Sequence, residues 1–214
     1  MNTLTKLIKG KVDALRPTST EGTAQPRIEL PPPRLEVDFG LMKALQERCS
    51  RREFRADPLP AAVLSDLLWA AAGVNRKGGG RTVPAAVNAH AVAVYAALPE
   101  GVYRYDPKHH VLDLASAVDL RPVTGYQDFV DNAPLDLIYV ADQHVTALMP
   151  SSQREPFTWV EVGAVAQNVY LYCAAYGLAC VLRAWLDREA VAQALQLTPH
   201  QQVLLSQTVG YPKG

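Results

Sequence analysis

Two stretches of this sequence carry side chains whose types and spacing suit a ligand. The first is Arg48-Cys49-Ser50-x-Arg52, at the end of an expected helix. Two guanidinium groups and a hydroxyl suit a phosphate, because arginine makes bidentate, charge-assisted hydrogen bonds to it. The same residues also fit a solvated basic face balanced by neighbours such as Glu53. The second stretch is the loop from Asn75 to Arg81, which runs into Thr82-Val83-Pro84-Ala85-Ala86-Val87-Asn88. Small residues followed by Asn let a backbone approach a planar ligand closely, with Asn88 donating or accepting at the ligand's edge. Read alone, this stretch is also what an ordinary loop looks like.

Other reactive side chains point to less. His109 and His110 are neighbours on an expected turn and face different ways, which does not make a metal pair. Cys173 falls on an apolar helix face and Cys180 on a strand, and both read as inert core. Glu161 reads either as a functional carboxylate or, as is commoner near a helix start, as one that satisfies the helix dipole. G-x-S-x-G, Walker A and G-x-G-x-x-G are absent, since Gly78-Gly79-Gly80-Arg81 lacks their spacing. No catalytic acid or base and no metal ligand set is assigned.

These stretches need elements to hold them. Leu41, Ala44 and Leu45 are helically spaced and lead into the arginines. A second helix runs from Pro60, which suits a first helical position, through Leu64, Leu67, Leu68 and Ala71 to a cap at Gly73. Ala91 to Leu98 is apolar and rich in β-branched residues, as a buried strand is. Gly101 to Tyr105 and Val111 to Leu114 flank Asp106-Pro107-Lys108-His109 and predict a hairpin. A polar helix is expected over about Arg121 to Val130, a strand over Leu135 to Val140, and a long buried helix over about Thr158 to Tyr176, closed by Gly177. Leu178 to Leu182 and Val203 to Val209 are the last strands, with a helix capped by Asp187 between them. Interspersed helices and strands with an antiparallel hairpin define an α+β class.

The first 36 residues differ, with Pro17, Pro26 and the run Pro31 to Pro33. They favour extended or polyproline backbone and no core, so residues 1–36 read as an arm, either loose or wrapped around a partner, and 37–214 as the domain. At 214 residues the chain suits one well-buried domain. Its 49% hydrophobic content excludes a disordered protein. The 21 basic residues balance 21 acidic ones, which argues against a nucleic-acid or membrane-surface binder. Three cysteines with no C-x-x-C argue for a reducing compartment and against zinc or disulfide frameworks. No apolar run follows Lys6, Lys9 and Lys11, and none reaches the roughly 18 residues of a membrane helix. A cytoplasmic protein is expected.

The order of the signals resembles the nitroreductase family of flavoproteins. Arg48-Cys49-Ser50-x-Arg52-x-Phe54, then Pro58-Leu59-Pro60 and a helix, is similar to its opening signature. Leu68 to Arg76, Gly79 to Ala86 and Gly101-Val102-Tyr103-Arg104-Tyr105-Asp106-x-x-x-His110-x-Leu112 resemble one branch, which includes the SagB-type thiazoline/oxazoline dehydrogenases. Asn132-Ala133-Pro134, Glu161-Val162-Gly163 and Val209-Gly210-Tyr211-Pro212 complete a match over about residues 41 to 212.

The resemblance implies an intertwined homodimer of nitroreductase-like fold, with a mostly antiparallel sheet flanked by helices, binding FMN. It implies that Arg48 and Ser50 hold the flavin phosphate, with Cys49 contributing backbone. Arg52 would approach the ribityl chain or the N1/O2 edge of the ring, where positive charge stabilises the reduced form. Pro84, Ala85, Ala86 and Asn88 correspond to a P-S-S-x-N segment that reaches the flavin from the other subunit. Gln127 is placed at the pyrimidine edge, and Arg183 and Ala184 in the segment whose backbone amide faces N5. The chain departs from the pattern in places. Both serines of P-S-S are alanine, and His90-Ala91-Val92 stands where Q-P-W is common. Relatives usually place a phosphate-binding Lys or Arg after the terminal strand; that residue is missing from the pattern here, and either Lys213 or an N-terminal residue would stand in for it. The implied activity is ping-pong hydride transfer, with NAD(P)H reducing the flavin and a small organic acceptor reoxidising it, or SagB-like dehydrogenation. The alternative is a flavin-binding protein without turnover.

Overall fold

The computed structural model describes residues 25–36 and 39–214. Its centre is a seven-stranded sheet in which every pairing is antiparallel. The strands are β1 (Arg27–Glu29), β2 (Val92–Leu98), β3 (Gly101–Asp106), β4 (Val111–Ser116), β5 (Leu135–Asp142), β6 (Ala179–Arg183) and β7 (Gln201–Gly210). Their order across the sheet is β1-β4-β3-β2-β5-β7-β6. The helices are α1 (Leu41–Glu47), α2 (Ala61–Ala72), α3 (Ser151–Ala175) and α4 (Arg188–Ala194). The class is α+β, as the pattern predicts.

Apolar residues line both sheet faces, so the molecule has three layers. Val94, Ala96, Leu135, Leu137 and Tyr139 meet Leu67 and Leu68 of α2 and Val162, Val165 and Val169 of α3. The alternate residues Tyr95, Ala97, Ile138 and Val140 meet Leu120, Val123 and Val191 on the opposite side. Burial of β5 on both faces explains its nearly unbroken apolar sequence.

Three expectations are corrected. The polar helix expected over 121–130 is only a 3₁₀ turn, Arg121–Val123. The Thr124 carbonyl is taken by Arg183 Nη1 (2.7 Å) and Ser206 Oγ (2.6 Å), so tertiary partners hold the acceptor a continuing helix would use. The long helix starts seven residues earlier than expected, with Pro156 inside it. That proline removes only one amide from an exposed first section, which the fold tolerates. Glu161 therefore lies in the body of α3 and is buried, not a helix-start residue serving the dipole. Gly73 is the C-cap of α2, as expected, with extended backbone at φ −68° and ψ 157° and its amide donating to the Trp69 carbonyl. Its small size is what the site needs, because a Cβ there would overlap the Trp69 indole.

Part of the proline-rich segment packs on the domain. β1 pairs with β4, Leu30 is buried, and Ser65 Oγ donates to the Pro31 carbonyl (2.5 Å). Arg34 is held twice by Asp66, through its backbone amide (2.8 Å) and its Nε (2.7 Å). Residues 1–24 of the expected arm lie outside the described residues. The hairpin turn ends at His110, whose φ of 57° puts it in the left-handed region. His110 hydrogen-bonds Ser65 Oγ (2.7 Å) and Tyr105 OH (2.8 Å), while His109 turns to Asp106 (2.6 Å), so the two imidazoles diverge as expected.

Candidate functional site

The arginine-rich segment is extended and clamped on two sides. Arg48 closes α1, its amide donating to the Ala44 carbonyl (2.9 Å). The Arg51 amide donates to Cys180 of β6 (3.0 Å), and the Arg55 amide to Tyr211 (2.9 Å). Lys213 donates its backbone amide to Glu53 (3.2 Å), which brings the chain's last cation beside the segment. Phe54 is the buried anchor, packed with Ala133, Ala179, Val181 and Phe129.

Tyr170 of α3 organises what the segment presents. Its hydroxyl accepts from the Leu182 amide (2.9 Å) and shares a hydrogen bond with Ser50 Oγ (2.8 Å). The Arg48 guanidinium lies over its ring, 5.4 Å from the centroid, a cation–π arrangement. Sequence reasoning missed Tyr170. The available signal was a hydroxyl-bearing aromatic on an apolar helix, since a buried Tyr finds a partner for its hydroxyl. Glu53 does not balance the arginines: Arg48, Arg51 and Arg52 make no ion pair among the described residues. Ser50, Cys49 and Arg52 are exposed and Arg48 is half-buried. This combination of cations without carboxylate partners and a serine hydroxyl oriented by Tyr170 fits an anionic group such as a phosphate.

The second stretch lies elsewhere on α3. Val74 bridges Arg81, and Gly78 and Gly79, at φ 92° and 83°, turn the loop between them. Asn168 of α3 fastens its exit by donating to the carbonyls of Ala70 (2.9 Å) and Thr82 (3.3 Å). Pro84, Ala85 and Ala86 then lead to a 3₁₀ turn in which Val87 and Asn88 have φ of 47° and 58°. Asn88 is exposed. Beyond it, Glu161 Oε2 accepts from the Ala91 amide (3.0 Å), and His90 lies against the same carboxylate. Burial pushes the Glu161 carboxyl up to about 7, and burial next to Arg81 and Arg76 pulls His90 down to about 4. Neither residue's role here was legible in the sequence.

Within one chain the two stretches stay apart. Ser50 sits beside Tyr170 and the Asn88 turn beside Glu161, nine residues earlier on α3, which is about 13 Å along a helix axis. Arg183 ends β6 just beyond Leu182, but its side chain turns inward to Asp136 (2.6 Å), Thr124 and Thr208. Ala184, next to it, is exposed. Gln127 lies against Gly125 in the loop that also receives Arg183. Among the described residues no helix is long and apolar enough to cross a membrane, and no group of His, Cys, Asp and Glu is placed to hold a metal ion.

The family model described as Nitroreductase family matches residues 45–211. The nitroreductase homologue MJ1384 of Methanocaldococcus jannaschii is 32% identical over 179 residues, 78% of this chain and 90% of the relative. The crystal structure of a nitroreductase homologue (reut_a1228) from Ralstonia eutropha JMP134 is 49% identical, covers 94% of this chain and 96% of that one, and superposes with a TM-score of 0.88. The NADPH:FMN oxidoreductase of Vibrio harveyi, solved with NAD+, shares the fold at a TM-score of 0.59 and 19% identity, over 81% of this chain and 69% of that one. On the family match across most of its length, and on two relatives that are 32% and 49% identical and covered to 90% and 96%, this chain belongs to the nitroreductase family.

Proposed function

We propose that this protein is an FMN-dependent oxidoreductase that works as a homodimer, passing two electrons from NAD(P)H to a small organic acceptor by a ping-pong mechanism. The observation that carries the reading is the segment Arg48 to Arg52, whose arginines have no carboxylate partner among the described residues and whose exposed Ser50 has its hydroxyl held by Tyr170 OH. Arg48 and Ser50 would hold the phosphate, the Cys49 backbone would contribute, and Arg52 and Lys213 would add positive charge. FMN supplies the hydride chemistry when bound, and the protein positions it and tunes it. Gln127 and the Arg183–Ala184 backbone would face the ring. Pro84, Ala85, Ala86 and Asn88 would reach it from the second subunit, which the separation along α3 favours. Exposed Phe157 and Val160 on α3 and Leu41, Met42 and Leu45 on α1 are the apolar surface such a dimer would cover. All three cysteines are free, which favours a reducing compartment and hence the cytoplasm.

The visible spectrum of the purified protein tests the cofactor, and anaerobic titration with NADH and with NADPH tests the donor. Oxidised-flavin absorbance that either nicotinamide bleaches is the expected result. A protein that stays colourless with added FMN overturns the reading. The SagB-type branch is favoured by the sequence Gly101-Val102-Tyr103-Arg104-Tyr105 lying on the β3–β4 hairpin. On that version, oxidation of a peptide azoline replaces the nicotinamide half-reaction. A stable yellow dimer that turns over neither class would be a binding protein without catalysis, as the alanines of Pro84-Ala85-Ala86 allow.

A further inference from the structure

Three side chains form a line from the interior of α3 to the exposed Asn88 turn. Glu161 Oε1 and His90 Nδ1 face each other across 3.3 Å, their side chains 4% and 7% exposed, and each is a buried polar atom with no hydrogen-bond partner, so the approach is a contact that a small turn of either group would make into a bond. On the far side of the imidazole, Nε2 lies 3.3 Å from Asn88 Oδ1. The remaining Glu161 oxygen is fixed by the Ala91 amide, so the carboxylate cannot turn away.

A neutral imidazole carries one proton on two nitrogens, and the state of one nitrogen dictates the other. With a proton on Glu161, the carboxyl donates to Nδ1, Nε2–H donates to Asn88 Oδ1, and the Asn88 NH₂ group faces outward. Without that proton, Nδ1–H donates to the carboxylate and Nε2 becomes an acceptor. The Asn88 amide must then turn over to donate to it, and its carbonyl faces outward. We propose that Glu161 and His90 are positioning residues that decide, through one proton on Glu161, whether Asn88 offers its ligand a hydrogen-bond donor or an acceptor. The ligand part rests on the reading that Asn88 meets the edge of a flavin, which presents both donors and acceptors. The relay itself stands on the geometry of the three residues.

The surroundings keep the exchange close to neutral pH. Desolvation favours the protonated carboxyl at Glu161, against the pull of the Ala91 and Val92 amides and of Arg81. Arg81 and Arg76 of the glycine loop face His90 and oppose a second proton on its ring. Arg81 is in turn influenced by Tyr105, Asp106 and Arg104 of the hairpin and by Glu161 itself. The imidazole therefore stays neutral on both sides of the Glu161 transition, and an ion pair does not form.

Nitrogen-15 NMR of the His90 ring in the full-length protein tests the relay, at about one to two pH units on either side of neutrality. The proton should sit on Nε2 at the lower pH and on Nδ1 at the higher, and Glu161→Gln should abolish the reversal. Riboflavin, which lacks a phosphate with its own ionisation, is the binding probe. Its dissociation constant should step several-fold at the same midpoint in the natural protein and stay level in Glu161→Gln. One unchanging tautomer, or both nitrogens protonated at the lower pH, overturns the relay. Binding that ignores the reversal overturns the role of Asn88. Reversal in a protein that binds neither riboflavin nor FMN upholds the relay and overturns the flavin reading instead.

Discussion

Arg183 and Asp136 form an ion pair sealed inside the fold, Nη2 to Oδ1 at 2.6 Å, with side chains 4% and 0% exposed. Thr208 Oγ1 donates to the same carboxylate oxygen, and the Thr124 carbonyl takes a second arm of the guanidinium. Gly125 lies so close that a Cβ there would overlap Arg183 Nη1, so the network dictates a glycine at this position.

Asp136→Asn leaves that guanidinium charge buried without its counter-ion, a change that costs about 3–5 kcal/mol. Gly125→Ala forces the same guanidinium out of its place and should also destabilise strongly. Urea denaturation followed by far-UV circular dichroism checks both. Natural stability in either variant would contradict the network.

Glu161 and His90 make a specific pH prediction. The folded protein keeps the Glu161 proton to about 7 against an ordinary 4.5, so it binds the extra proton and loses stability as pH rises through that window. His90 loses its proton at about 4 against an ordinary 6.5, so the unfolded chain binds the extra proton and stability falls as pH drops through that window. Where the windows overlap, the slopes oppose and the natural protein's dependence on this pair should be nearly flat. Glu161→Gln removes one slope, and stability should then climb by about 3 kcal/mol as pH rises through the His90 window. Denaturation midpoints across a pH series would show it.

Arg48→Ala and Ser50→Ala should each weaken FMN binding. A hydrogen bond to a charged group contributes about 1.5–3 kcal/mol, so losses of roughly ten- to a hundredfold are expected in fluorescence titrations. Riboflavin, without the phosphate, should be much less affected. Equal loss for both ligands would move the phosphate elsewhere.

Only one thiol per chain should react quickly with a thiol reagent, since Cys49 is exposed while Cys173 and Cys180 are buried. Burial and the neighbouring Cys180 also push the Cys173 thiol up, away from the reactive thiolate. All three cysteines of the sequence should react in denaturant. FMN should slow the reaction of Cys49 if the phosphate lies where proposed.

The sequence was most informative where a local pattern and its tertiary surroundings agree. β2 and β5 are apolar because both of their faces are covered, the hairpin follows its Asp106-Pro107 turn, and Asp187 caps α4 by accepting from the Ala190 amide (3.1 Å). The expected helix over 121–130 failed for a non-local reason, since Arg183 and Ser206 compete for the Thr124 carbonyl from far along the chain. Arg48 and Ser50 stood out as a charge pattern, but Tyr170, which orders them, looked like one more apolar helix residue. Glu161 looks like a helix-start residue in the sequence because Pro156 hides the turns from Ser151 onward, and only the full span of α3 shows how deep in the helix it lies. Arg183 drew attention as part of a motif, yet its side chain works inside the fold while its neighbour Ala184 reaches the surface.

β1 closes the outer edge of β4 with a piece of chain from far upstream, Arg27 standing opposite Asp113. A contact of such sequence separation forms late, because the intervening loop must close first. A newly made chain therefore passes through a stage at which the hairpin edge is bare and able to pair with another molecule. Weakening the Arg34–Asp66 or Ser65–Pro31 fastening should lower the yield of refolding at high protein concentration more than it lowers the activity of molecules that do fold.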